Sequence, residues 1–450
     1  MSINKKNIFI ILFRPIYRLF YKRIYKIFTM ILHDYMRNHL MIYLDSINNT
    51  NEYVLDLLFK KECIPIYKNE KIRIVFLFQS PSAWPSWESV WENIINDTRF
   101  EVKMILFNRV IEEESFMIGA QEFLGKKNIS FIVADKFDFY NYKPHIIVYQ
   151  TPWDDIHRPH YLRSDQMKKN GIRIAYIPYG IEYSDSVNDG YKFSNNSFKT
   201  KPWRMYTISE QMKYEHLLKS KQGSDHIAIT GHPKFDSINN IGKYRLSREY
   251  NEKINKRKVI CWLMHFPISI NNKNPLPNIN EYVKFSKKIK EYSDIFIFVR
   301  PHPKFFDEYC ELGYKKEIKY FRNYISESEN ACFYLDYDYR YAMYNSNYII
   351  GDRSALLIEA AAMQIPVLYM TNDTFKEDIL PAVKPILDSY YQGCTCYDIQ
   401  KFIEMVIINK IDDKKEERLE AKIRCLPYID GLCGKRIIND LAETIYKEIS

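Results

Sequence analysis

The chain is poor in glycine, with 13 among 450 residues against a usual ~7%. That scarcity excludes collagen-like and Gly-rich linker sequences and argues against repeat-built β architectures. No run of 18 uncharged apolar residues occurs, so no helix is expected to cross a bilayer. The apolar run Ile8–Phe13 is too short for an export signal, and Arg14 follows it with no small-residue cleavage site nearby. The eight cysteines form no C-x-x-C pair, and Cys394 and Cys396 stand without a nearby histidine. Reduced structural thiols in the cytoplasm are expected, and no zinc site. Also missing are G-x-x-x-x-G-K-[ST], G-x-G-x-x-G and G-x-S-x-G, the usual marks of NTP hydrolysis, dinucleotide redox chemistry and α/β-hydrolase chemistry.

What is present is ordinary globular material, 46% apolar and 27% charged, enough for two to four domains with real cores. The net charge of +9 is unevenly spread. Residues 1–44 carry Lys5, Lys6, Arg14, Arg18, Lys22, Arg23, Lys26 and Arg37 against Asp34 alone, leaving +2 for the rest. Arg14, Arg18, Lys22 and Lys26 recur every four residues, and Ile16, Phe20, Ile24, Ile27 and Ile31 keep helical spacing on another face. The pattern predicts a basic amphipathic arm suited to an anionic membrane surface. A helix packed on the body with a solvated basic face, or an RNA-binding arm, fits the same spacing.

Short β-rich runs alternate with helical stretches, first over Ile72–Phe78, Val102–Phe107, Ile129–Ala134, His145–Gln150, Ile172–Ile177 and Ile227–Thr230. They resume over Val259–Met264, Ile295–Arg300, Ala331–Leu335, Tyr348–Gly351 and Pro366–Met370. Alternation of this kind predicts an α/β protein with parallel sheets covered on both faces. The charge-rich stretch 239–258 separates the two series. The expected layout is an arm and linker over 1–69, Rossmann-like domains over 70–240 and 257–425 facing a cleft, and a C-terminal helix over 435–450 packing back.

Ligands of doubly wound sheets bind beyond the carboxyl ends of the strands, so chemistry is expected where the runs stop. Ile295–Pro303 drives an apolar strand into Arg300 and His302, two residues apart and on one side of extended backbone. A guanidinium and an imidazole there suit phosphate oxygens. Asn347–Met370 reads strand, loop, helix, strand. Its Gly351 allows a sharp exit, Asp352 and Ser354 are good helix caps, Arg353 adds charge, and Glu359 in the second turn is placed to accept ribose hydroxyls. The free N–H groups and dipole of that alanine-rich helix favour an anion. Ile227–Asp236 ends a strand in Gly231, His232 and Pro233. In the first series, Asp154, Asp155, His157 and Glu182 follow strands and are candidate bases. Trp84 and Trp87 suit either an acceptor pocket or the core. No frame with metal-ligand spacing is present, and no metal or cofactor is expected.

Taken in order, TGHPKFD, VRPHP and IIGDRSALLIEAAAMQIPVLYM resemble the CDP-glycerol glycerophosphotransferase family of teichoic acid and capsule synthesis. The likeness covers about 225–375 and is faint over 70–225. It implies a GT-B fold, a CDP-activated phospho-polyol donor, a glycan or lipid-linked acceptor, no nucleic acid partner, and peripheral attachment to the inner face of the cytoplasmic membrane through residues 1–44. Arg300 and His302 match the family's phosphate-binding turn, Asp352, Arg353 and Ser354 its phosphate loop, Glu359 its ribose-side acid, and His232 lies in its G-x-P turn. The family's His-Gly pair is replaced by Tyr179-Gly180, and Arg353 and Ala355 replace the usual tyrosine and second serine. The expected activity is transfer of a phospho-polyol group with CMP leaving, with His302 on the leaving phosphate and Asp154, Asp155 or Glu182 as base. A GT-B glycosyltransferase using a nucleotide sugar and a non-catalytic membrane or RNA adaptor are the alternatives.

Overall fold

A computed structural model describes residues 63–108, 114–184, 202–219, 223–267, 278–371 and 379–449, the side chains of 114–116, 155 and 156 excepted. The basic arm, residues 1–44, lies outside the described residues. Cys63–Ser450 forms one unit built on two wholly parallel sheets.

The first sheet holds β1 (Ile72–Phe78), β2 (Phe100–Leu106), β3 (Ile132–Val133), β4 (Ile146–Tyr149), β5 (Arg173–Tyr176), β6 (Arg204–Thr207) and β7 (Ile227–Ile229), in the order β3-β2-β1-β4-β5-β6-β7. The second holds β8 (Lys258–Met264), β9 (Ile295–Pro301), β10 (Ala331–Phe333), β11 (Tyr348–Gly351), β12 (Val367–Met370) and β13 (Tyr391–Gly393), in the order β10-β9-β8-β11-β12-β13. Both reverse direction once, between β1 and β4 and between β8 and β11. Those are the switch points at which ligands of such sheets collect.

Alternation along the strands divides each sheet between two cores. Ile74, Phe76 and Phe78 face a core with Trp84, Trp87 and the helix Glu88–Ile94, whereas Val75 and Leu77 face Leu162 and Met167. Trp84 and Trp87 are therefore core residues. In the second sheet Ile260, Trp262 and Met264 face the helices Ile279–Lys288 and Lys315–Ser326. Val259, Cys261 and Leu263 face the helix Leu356–Met363 and, beyond it, Ile181, Tyr183, Ile208, Met212 and Phe235 of the first lobe. One apolar core thus runs through both lobes.

The helix Cys433–Ile449 follows the second sheet in sequence yet buries Ile437, Ile438, Leu441 and Ile445 in the first lobe's core. Asp236, just after β7, sets its start: the carboxylate accepts the Cys433 and Gly434 N–H groups at 2.9 and 2.8 Å, satisfying donors that a helix start leaves open. No helix of the described residues is long and apolar enough to cross a membrane.

Candidate functional site

The second sheet's switch point gathers the residues of the VRPHP turn and of the loop after β11. Strand register places Arg300 beside Leu263 and Leu263 beside Gly351, so Arg300 and Gly351 stand about 10 Å apart across one intervening strand. The His302 N–H donates to the Met264 carbonyl (2.7 Å), and the His265 N–H to Asp352 Oδ1 (2.7 Å). The edge therefore runs His302, His265, Asp352, with the two imidazole centroids 5.0 Å apart and Phe266 packed against both.

Each of these side chains has a defined hydrogen-bonding state. Burial, with the charges of Lys304 and Arg300 and the neighbouring His265, pushes His302 down to about 3, so it is neutral near pH 7. Its Nδ1 accepts the Lys304 N–H at 3.2 Å, which leaves the ring proton on Nε2 as a donor. His265 is the opposite tautomer. Its Nδ1 lies 3.1 Å from the Phe266 carbonyl, which can only accept, so Nδ1 carries the proton. Arg300 donates to the Tyr334 and Asp336 carbonyls at 3.2 and 2.7 Å, with its guanidinium carbon 5.7 Å from the Tyr334 ring centre and 6.0 Å from that of Tyr339.

The loop into the helix Leu356–Met363 forms the other wall. Gly351 lets the loop pack closely, since a Cβ there would sit 2.8 Å from Leu357 Cδ2 and push that methyl aside. Asp352 is no helix cap. Its second oxygen accepts the Tyr282 hydroxyl at 2.9 Å, so the carboxylate ties the ends of β8 and β11 together. Ser354 Oγ accepts the Leu356 N–H at 3.2 Å, and the N-cap itself is Ala355. Arg353 is buried, with its charge close to Tyr179.

The first lobe meets this wall directly, for a Cβ on Gly180 would lie 3.7 Å from that of Ala355. His232 Nε2 donates to the Pro178 carbonyl at 2.8 Å and its Nδ1 accepts the Lys234 N–H at 3.3 Å. Burial, and then Lys234, press it down to about 3. His232 therefore braces the loop at Tyr179-Gly180. Glu359 is fully buried. Lys234 Nζ donates to its Oε1 at 2.9 Å, and the Tyr339 hydroxyl donates to Oε2. Each carboxylate oxygen thus has one protein partner.

The candidate bases are committed elsewhere. Asp154 is held by Arg158 at 2.6 Å, the Ser164 N–H at 3.1 Å and the Ser164 hydroxyl, and both members of the ion pair are buried. Glu182 pairs with His216 at 2.9 Å. The Asp155 side chain lies outside the described residues. At the first sheet's switch point the polar side chains bond one another and the backbone: Gln150 Oε1 accepts the Gln79 and Ser80 N–H groups at 3.0 and 2.9 Å, and Thr151 donates to Gln79 Oε1 at 2.8 Å. Gln79 therefore turns its NH2 to His157 Nδ1 at 2.7 Å, so His157 too carries its proton on Nε2 and is no ready base.

Sequence reasoning passed over His265, Lys234 as a side-chain partner, Tyr339 and Gln79. His265 and Gln79 each follow an apolar run by one residue, and that position is the signal that would have found them.

Two Rossmann-like lobes built on parallel sheets, with a helix crossing back from the second to the first, define a GT-B-like fold. A family model for UDP-N-acetylglucosamine 2-epimerase matches residues 204–442, more than half of the chain, and the chain belongs to that family. Solved structures of the same fold include a putative UDP-N-acetylglucosamine 2-epimerase from Listeria monocytogenes, 12% identical with TM-score 0.58 over 84% of this chain and 98% of that one. The Neisseria meningitidis UDP-GlcNAc 2-epimerase bound to UDP-GlcNAc is 13% identical, with TM-score 0.55 over 82% and 100%. The wall teichoic acid polymerase TagF is 13% identical, with TM-score 0.55 over 91% and 98%. At such identities the likeness is one of fold. No curated protein matches the chain in sequence.

Proposed function

We propose that this protein is a transferase that holds the diphosphate of a nucleotide-activated donor at the end of the second sheet and moves a phospho-polyol group to a glycan or lipid-linked hydroxyl, with CDP as the carrier. One observation supports this above the others: Arg300, the Nε2–H of His302 and the start of the Leu356–Met363 helix share one sheet edge beside the first lobe. The acceptor oxygen attacks the distal phosphorus, the bond from that phosphorus to the bridging oxygen breaks, and CMP leaves with the electron pair while the hydroxyl proton passes to solvent or a nearby base. Arg300, His302 and the helix N–H groups take up the charge on the departing phosphate. A loose phosphoryl-transfer transition state asks mainly for positioning and charge stabilisation. That agrees with a first lobe whose described carboxylates near the site are already paired. The acceptor side is the first lobe, 70–240, the donor side the second, 257–425, and residues 1–44 hold the enzyme at an anionic membrane surface on the cytoplasmic side.

A second reading has its own support. The family match over 204–442 favours a UDP-sugar at the same cradle, either for glycosyl transfer or for a change in the sugar itself. Thermal-shift titration with CMP, CDP, UDP and GDP, followed by product analysis with CDP-glycerol, CDP-ribitol and UDP-N-acetylglucosamine, separates the two. CMP release from a CDP-polyol is expected. UDP release, or an altered UDP-sugar, would replace the first reading by the second. A melting temperature indifferent to all four nucleotides would refute both.

A further inference from the structure

We infer that Trp153, His157 and Tyr179 form the wall of a sugar-binding subsite, so that the acceptor hydroxyl belongs to a pyranose ring; that the occupant is the acceptor rests on the transferase reading above. The other five tryptophans belong to or pack against the apolar cores. Trp153 instead meets His157 and Tyr179, at centroid distances of 5.1 and 5.2 Å and interplanar angles of 79° and 56°. Rings set at such angles enclose a corner rather than a flat stack. All three are partly exposed. They stand just beyond the carboxyl ends of β4 and β5, beside the first sheet's switch point, where such sheets take ligands.

The corner is rigid before any ligand arrives. Trp153 and Tyr179 each follow a proline, Pro152 and Pro178, whose ring restricts the turn. The buried Asp154–Arg158 pair pins the helical turn Asp154–His157, and Gln79 Nε2 holds His157 at 2.7 Å. His232 fixes the Pro178 carbonyl at 2.8 Å. A pyranose offers a C–H face that an aromatic ring can cover and a rim of hydroxyls that need polar partners. Such partners border these rings: the Gln79 amide at His157, and the charges of Glu182 and Arg353 near Tyr179. An acyl or prenyl chain would desolvate those groups and give them nothing in return. The corner also adjoins the donor side, since a Cβ on Gly180 would lie 3.7 Å from that of Ala355 in the loop after β11. A sugar against Tyr179 is therefore next to the loop that the reading above gives to the diphosphate.

The test is a saturation-transfer NMR titration of the full-length protein with the methyl glycosides of glucose, galactose, mannose and N-acetylglucosamine. Glycerol 3-phosphate and farnesyl phosphate stand for an open polyol and an isoprenoid, and CDP and UDP are titrated alongside. At least one glycoside is expected to receive saturation, strongest on the C–H protons of one ring face. Its binding should weaken about 10-fold in Trp153→Leu and stay within about threefold of wild type in Trp153→Phe, with nucleotide affinity changed less than about twofold in both. Tyr179→Leu, at the neighbouring strand end, gives the same comparison if Trp153→Leu does not fold. Glycoside binding unchanged in Trp153→Leu would overturn the inference. So would a response to glycerol 3-phosphate or farnesyl phosphate and to no glycoside, or an equal loss of nucleotide affinity with a lowered melting temperature, which marks a structural role. Wild type that binds a glycoside but neither nucleotide would overturn the transferase reading and uphold the sugar subsite.

Discussion

His232 shows how a single buried group gives the protein a measurable response to acid. Its imidazole is neutral in the fold because burial and Lys234 hold it near 3, while in the unfolded chain it titrates near its ordinary 6.5. Between those values only the unfolded chain takes the proton, so stability is full above pH 6.5 and falls as pH drops toward 3. At about 1.4 kcal/mol per pH unit, moving from pH 7 to 5 costs about 2 kcal/mol from this residue. His232→Gln, which keeps an N–H near the Nε2 position, should cut the difference between urea midpoints at the two pH values by the corresponding amount. An unchanged difference would remove His232 from the account. His302 is depressed in the same way but lies half-buried at the cradle, so its loss should be read in binding. His302→Ala is expected to weaken CDP or UDP binding ~10–100-fold, as for one strong hydrogen bond, with little change in melting temperature. Equal affinity would place the phosphate elsewhere.

At the scale of elements, Asp236 joins a motif to the architecture. It closes the stretch TGHPKFD, and its carboxylate caps a helix that begins 197 residues later. Asp236→Ala should cost about 1–2 kcal/mol, from the lost cap and the lost negative charge at the helix start, with nucleotide affinity unchanged. Urea denaturation beside a binding titration checks both halves of that expectation. Much of this level was legible in advance. Ile72–Phe78, Tyr348–Gly351 and the IFIFVRP strand are apolar runs bounded by turn residues, and a buried parallel strand has no other way to appear in a sequence. β6 and β13 escaped because RMYT and YQG are short and carry polar residues. Arg300 and His302 were legible because two residues on one strand share a side by covalent geometry alone. The roles of Asp352 and Glu359 were not, since their partners His265, Tyr282, Lys234 and Tyr339 arrive from other elements. A good capping residue looks the same in sequence whether it caps a helix or ties two strands.

For the molecule as a whole, the two lobes are joined by charge as well as by a shared core. Glu88 of the first lobe accepts Arg340 Nη1 of the second at 2.5 Å, the Tyr244 hydroxyl at 2.7 Å and Lys127 Nζ at 2.8 Å, while Arg340 also grips Asp338 through Nε and Nη2 at 2.8 and 2.7 Å. Burial alone would raise the Glu88 carboxyl, but the charges of Arg340 and Lys127 override it and hold the group well below the usual carboxylate range. Arg340 adjoins Tyr339, so this cluster and the Lys234–Glu359 pair hold the same short helix, Arg340–Tyr344, from two sides. Buried pairs of this kind contribute less net stability than their geometry suggests, because desolvation offsets much of the attraction, yet breaking one partner is costly. Arg340→Met should therefore destabilise by about 3–5 kcal/mol, since it leaves the buried Glu88 and the partly buried Asp338 without their shared cation. Adding Glu88→Gln removes one of the stranded charges. The double variant should lose at least about 1 kcal/mol less than the sum of the single losses, the size expected for directly coupled neighbours. Denaturant unfolding of the four proteins in the cycle measures that coupling. Additive losses would mean that the Glu88–Arg340 pair is incidental to how the lobes are fixed.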